Sequence, residues 1–120
     1  MAYDPNNVFA KILRKEIPCK AVYEDEHTLA FHDVNPQTPV HVLIIPKGKY
    51  VSMDDFSANA TDAEIAALFQ TVGKVARQLG LDKKGYRILA NTGGDGGQEV
   101  PHLHIHLFGG KPLGRMIAKD

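Results

Sequence analysis

Three histidines at alternate positions, His102, His104 and His106, stand in the run His102-Leu103-His104-Ile105-His106-Leu107-Phe108, which closes on Gly109-Gly110. Alternation with a period of two predicts a β-strand. The imidazoles then leave one face, and Leu103, Ile105 and Leu107 leave the other to anchor the core. The chain has 6 histidines, and spending half of them on one face needs a reason, because a buried imidazole must satisfy both ring nitrogens. A lone histidine would pass as part of an ordinary polar strand face. Three in phase argue against that, since a solvent face more simply carries Thr, Lys or Glu. Two chemistries fit the row. It could ligate a divalent metal, or it could act on phosphate, with one imidazole as nucleophile and the others as donors.

The elements around the row must hold it in place, and the totals limit what they can be. A chain of 120 residues fits one domain, 1–120, with 111–120 as a C-terminal tail of little periodicity. A chain this long buries roughly 65% of its extended surface on folding, enough for a core without disulfides. Lys plus Arg and Asp plus Glu are both 14, so no net basic field favours nucleic acid as a partner. The single Cys19 excludes an internal disulfide framework and fits a reducing compartment. No apolar run approaches the ~20 residues of a membrane span, and the N-terminus lacks the regions of a signal peptide. The expectation is a soluble cytoplasmic protein with no nucleic-acid or membrane partner.

Asn6 or Asn7 can cap a short helix with Val8, Phe9, Ile12 and Leu13 on one face, stopped by Pro18. Ala21–Glu24 and 28–33 read as two strands around the turn Asp25-Glu26-His27. His27 is expected in an exposed loop, and His32 in a surface or structural role. Val40-His41-Val42-Leu43-Ile44-Ile45-Pro46 is apolar on both faces, so it should be a central strand covered on both sides. His41, at the mouth of that strand, becomes a site candidate once other histidines are near. Met53–Phe56 suits a short helical turn. Thr61-Asp62-Ala63-Glu64 is a capping box opening a long helix. Its core stripe is Ile65, Leu68, Phe69, Val72, Val75, Ala76 and Leu79, and Gly80 ends it. Tyr86–Asn91 reads as a fourth strand. The glycine-rich connection 92–99 suits the presentation of backbone amides to phosphate, though its spacing fits neither a P-loop nor a dinucleotide fingerprint. These elements make an α+β domain: a five-stranded antiparallel sheet, one long helix and a short N-terminal helix.

The histidine run resembles the signature of the histidine-triad (HIT) family. The likeness extends over nearly the whole chain, through Phe9-Ala10-Lys11-Ile12, Arg14–Pro18, Phe31-His32-Asp33, Pro36-Gln37, His41, Ile45-Pro46-Lys47 and Asn91 with Gly96-Gly97-Gln98. These stretches are similar to the nucleotide-binding branch of that family. The resemblance implies a HIT-like fold, a twofold homodimer joining two sheets, and a purine nucleoside phosphoramidase acting on adenosine 5′-monophosphoramidates. It implies His104 as the nucleophile that forms a nucleotidyl-histidine. His102 would orient it, His106 would contact the phosphate and leaving-group side, and His41 would complete the hydrogen-bonded set. Asp33 would take the ribose hydroxyls and Asn91 the phosphate side, with Gly97, Gln98 and Glu99 in the approach to the triad. Phe9, Ile12, Phe31 and Leu43 would line an apolar purine pocket.

The implied chemistry is sound on first principles. A phosphoramidate has a poor leaving group until its nitrogen is protonated. Imidazole, with a pKa near ~6.5, can be neutral as a nucleophile and charged as a donor at the same pH. The route calls for no metal and no cofactor. Glu99 stands where many relatives carry Ser, and a carboxylate there attracts a cationic amine and repels an anionic group. Leu113–Ile117 lacks the Trp found near the end of some relatives. The alternatives are a dinucleoside polyphosphate hydrolase of the same superfamily, a nucleotide-binding regulatory or scaffold protein, and a metal-binding module.

Overall fold

The run Val40–Pro46 takes the central place its composition demands. It forms β3, the middle strand of a five-stranded antiparallel sheet, and six of its seven residues are buried. The computed structural model describes residues 2–117. In chain order the elements are α1 (Val8–Leu13), β1 (Ala21–Glu24), β2 (Thr28–His32), β3, α2 (Met53–Asn59), α3 (Asp62–Gln78), β4 (Arg87–Leu89), α4 (Gly93–Gly96) and β5 (Ile105–Gly109). The strand order is β1-β2-β3-β5-β4, with every pairing antiparallel.

The sheet has two different faces. Ala30, Val42, Ile44, Ile105 and Leu107 point to one side, where they meet Phe56 of α2 and Leu68, Val72, Val75 and Ala76 of α3. On the other side Leu29, Phe31, Leu43 and Ile45 pack with Phe9 of α1. One rung of pairings crosses the sheet on this second face: Phe31 opposite Leu43, Leu43 opposite His106, and His106 opposite Leu89. The period of two in each strand therefore aligns apolar and imidazole side chains on one surface.

The helix α3 starts as its sequence requires. Both reciprocal bonds of the capping box between Thr61 and Glu64 are made, and Gly80 takes the positive φ of 72° beyond the other end. Such a cap contributes roughly 1 kcal/mol. The expected core stripe is corrected at one position, because Phe69 is 46% exposed. Thr71 is buried instead, with its hydroxyl 2.9 Å from that of Thr28.

Other expectations need revision. Asn7 caps α1 through its side chain, but the helix ends well before Pro18. Lys15 adopts a φ of 65°, and the amides of Lys15 and Glu16 bond back to the carbonyls of Ile12 and Lys11. This is a Schellman closure with lysine in the left-handed position, where a Cβ costs about 1 kcal/mol. Val8 lies outside the apolar face and is exposed. The turn at Met53 is a full helix, and the glycine loop contains the short helix α4, followed by Gly97 at φ 77°. The fourth strand is only Arg87–Leu89. The strand β5 begins at Ile105, so His102–His104 precede it. The ladder to β3 stops at the Ile44–Ile105 pair. Beyond it Pro46 has no N–H to offer, and its carbonyl accepts from the His102 ring instead. The tail, 111–120, lies partly outside the described residues. Its described part is held to β4 by the Arg87 guanidinium, which donates to the carbonyls of Gly114 and Arg115.

Candidate active site

His102 lies beneath the surface of the site. It is fully buried, its Nε2–H donates to the Pro46 carbonyl at 2.8 Å, and its Nδ1 accepts from the Tyr3 hydroxyl at 2.6 Å. Those two bonds lock the ring and the backbone around it. The His102 carbonyl then accepts from His104 Nδ1–H at 2.8 Å. A neutral imidazole carries one proton, so His104 Nε2 keeps a free lone pair. His104 is 7% exposed, and its ring meets Phe9 and His106 edge-on, each at a centroid distance of 4.9 Å.

A second chain of bonds sets the other two rings. The Gln37 amide donates to His41 Nδ1 at 3.1 Å, which puts the His41 proton on Nε2. That N–H donates to His106 Nδ1 at 2.9 Å, and the Asp33 carboxylate lies 3.4 Å from the same His41 nitrogen. His106 therefore carries its own proton on Nε2. Phe108 stacks on His106 with the ring planes 3° apart, and it also packs against His41.

Burial holds all four rings neutral. It lowers His104, with the neighbouring His102 carbonyl and the charges of Asp33 and Glu99 pulling the other way. It pushes His102 down to about 4. It pushes His106 down to about 4 as well, helped by the charges that His104 and His41 would carry. It also lowers His41, against the pull of Asp33. At neutral pH the row therefore offers one lone pair, on His104, and one outward N–H, on His106.

Two clefts meet at this row. A polar one of about 440 Å³ is lined by Asp33, His41, Asn91, Gly97, Glu99, His104, His106 and Phe108 among others. An apolar one of about 370 Å³ is lined by Phe9, Ile12, Phe31, Leu43 and Val100, again with Asp33, Glu99, His104 and His106. A larger cavity of about 850 Å³ near Val40, Leu81 and Lys111 has no histidine or carboxylate in its lining among the described residues. Asp33, His41 and His106 each bring one ligand-type atom within 4.8 Å of the others. Two of those atoms already share a hydrogen bond, which a metal ion would have to break.

The residues singled out in the sequence thus come together, with two differences. His102 supports the site from below and lines neither cleft. Gln98 lines neither cleft either. Its amide donates to the carbonyls of Val51 and Val100, and its oxygen accepts from the Gly93 amide, so it braces the glycine loop. His27 and His32 lie away from the row of bonded rings, although His32 borders the apolar cleft. Sequence reasoning missed Phe108, which the same alternation by two could have found. It also missed Tyr3 and the Gln37 amide. Tyr3 meets His102 across 99 positions of the chain, and no local pattern marks such a contact.

Comparison with known proteins agrees with this geometry. Residues 14–113 match the model of the HIT domain family. A HIT-like protein of Azospirillum brasilense, of 13.2 kDa, is 69% identical over 98% of this chain and 96% of its own length. The purine nucleoside phosphoramidase of Escherichia coli is 45% identical over 92% of each chain. Among solved structures, a HIT family hydrolase from Clostridium thermocellum superposes with a TM-score of 0.86 at 43% identity, covering 94% of this chain and 97% of that one.

Proposed function

The chain belongs to the HIT domain family, and from that premise we propose that it is a purine nucleoside phosphoramidase, cleaving the P–N bond of adenosine 5′-monophosphoramidates. One observation carries the reading: the unprotonated Nε2 of His104 sits where an apolar cleft and a polar cleft meet. A mononucleotide has that same division, with a flat apolar base at one end and a charged phosphorus at the other. The E. coli relative at 45% identity carries this activity in its name, which supports the same assignment.

In this mechanism the purine enters among Phe9, Ile12, Phe31 and Leu43, and Asp33 accepts from the ribose hydroxyls. His104 Nε2 attacks the α-phosphorus. The P–N electrons leave with the amine nitrogen, which takes a proton from solvent water, while the neutral His106 Nε2–H donates a hydrogen bond on the leaving-group side without giving up its proton. Water then attacks the phosphorus of the nucleotidyl-histidine. The proton it loses returns to solvent, AMP departs, and His104 recovers its lone pair. Splitting the displacement in two avoids direct attack of water on an anionic phosphorus. The His102 carbonyl holds the imidazole that becomes cationic during attack. The exposed residues Tyr86, Ile88 and Leu89 at the outer strand β4 support a homodimer formed by pairing of sheet edges.

Rapid mixing with an adenosine phosphoramidate, an alkaline denaturing quench in which a phosphorus–imidazole bond survives, and intact-mass measurement test the reading. AMP attached to the protein at His104 is the expected result. AMP accumulating with no adduct at any time point would sink it.

A further inference from the structure

The polar cleft is unusual for a site that handles phosphate. Its lining has the carboxylates of Asp33 and Glu99 but no lysine or arginine among the described residues. Its histidines, His41, His104 and His106, do not supply the missing charge, because burial keeps them neutral. If the base occupies the apolar cleft and Asp33 faces the ribose, the group leaving from phosphorus departs into the polar cleft, past Glu99. Glu99 is exposed at the junction of the two clefts, and its charge is felt at His104.

We infer that Glu99 makes the leaving-group side of this site selective for amines that carry a second, positive charge, and selective against anionic leaving groups. This inference rests on the phosphoramidase reading and names the substrate class within it. The physical cause is Coulombic. A cationic side chain passing Glu99 gains attraction in a cleft where no fixed cation competes, and a carboxylate or phosphate meets repulsion with no cation to offset it. Exposure limits the size of the effect. A pair at a partly solvated site is worth up to about 1 kcal/mol, so each sign of charge changes the rate roughly fivefold and the two together ~20-fold. The same repulsion disfavours dinucleoside polyphosphates, whose leaving group is itself a polyanion. Glu99 here acts on selectivity, with no bond made or broken to it.

Three adenosine phosphoramidates of matched length test the idea, with agmatine, 4-amino-1-butanol and 4-aminobutyrate as the leaving amines. The neutral alcohol is the reference within each protein. For the wild type we expect kcat/KM to fall in the order cation, neutral, anion, with roughly 20-fold between the extremes. In Glu99→Gln that span should shrink several-fold, and in Glu99→Lys the order should reverse. Raising the salt from ~0.1 M to ~1 M shortens the screening length from about 10 Å to about 3 Å, so the wild-type span should narrow while Glu99→Gln changes little. Equal turnover of all three substrates by the wild type, or a span in Glu99→Gln equal to the wild type's, overturns the inference and leaves the phosphoramidase reading standing. Hydrolysis of none of the three overturns both.

Discussion

The two faces of the sheet use the same strands for opposite purposes. Toward α3, Val42, Ile44, Leu107 and Leu68 are fully buried hydrocarbon. Toward the clefts, the same strands present His41, Leu43 and His106, and every buried polar side-chain atom among the described residues has a hydrogen-bond partner. The first face supplies free energy in proportion to the apolar area it removes from water. The second face spends part of its area on imidazoles, each held to one tautomer by a named donor or acceptor. Fixing the row in this way is compatible with a thin apolar layer on that side only because the α3 side carries the core.

Breaking each face should give different losses. The largest effect is expected at the proposed nucleophile: His104→Ala should reduce kcat by at least ~10⁴-fold while AMP still binds, read by stopped-flow turnover and by calorimetric titration. Unchanged turnover would remove His104 from that role. On the opposite face Leu68→Ala should cost about 3 kcal/mol of stability in a urea titration, with kcat/KM at low temperature close to wild type. A large loss of activity in the folded variant would show that the two faces are not separable.

Acid sharpens the same contrast. His102 is neutral when folded, with a pKa pushed down to about 4 by burial, whereas an unfolded histidine titrates near ~6.5. The unfolded chain therefore binds more protons between those values. Stability is complete above ~6.5 and is lost as the pH falls toward about 4, by about 3 kcal/mol for this one residue. Urea midpoints across that range should fall, and His102→Gln should flatten the dependence. A dependence as steep in that variant as in the wild type would acquit His102. The smallest effect is expected at Tyr3→Phe, which deletes the donor to His102 Nδ1. It should lower kcat by about tenfold with KM nearly constant, and should cost about 1 kcal/mol of stability. A change confined to stability would make Tyr3 structural only.

Much of the molecule was legible in the residues alone, for reasons that differ by element. The capping box at Thr61, the apolar run of β3 and the alternation of 102–108 are local signals. A side-chain period or a hydrogen bond three residues away is enough to produce each. Helix ends and strand lengths were less legible. Lys15 closes α1 in a conformation that glycine usually takes, and Phe69 fits the helical stripe while facing solvent. Both outcomes depend on what packs nearby, and periodicity does not carry that information.

The sequence by itself determined that three imidazoles would gather in one stretch beside the site, that a fourth would stand on the central strand, and that the HIT family was the frame. Only the tertiary structure decided which nitrogen of each ring is free. Tautomers are set by partners far away in the chain: Tyr3 and the Pro46 carbonyl for His102, the Gln37 amide for His41, and His41 for His106. A ring's chemistry depends on the single proton it carries. That proton's position is a property of contacts made across the fold, which no spacing within one strand can specify.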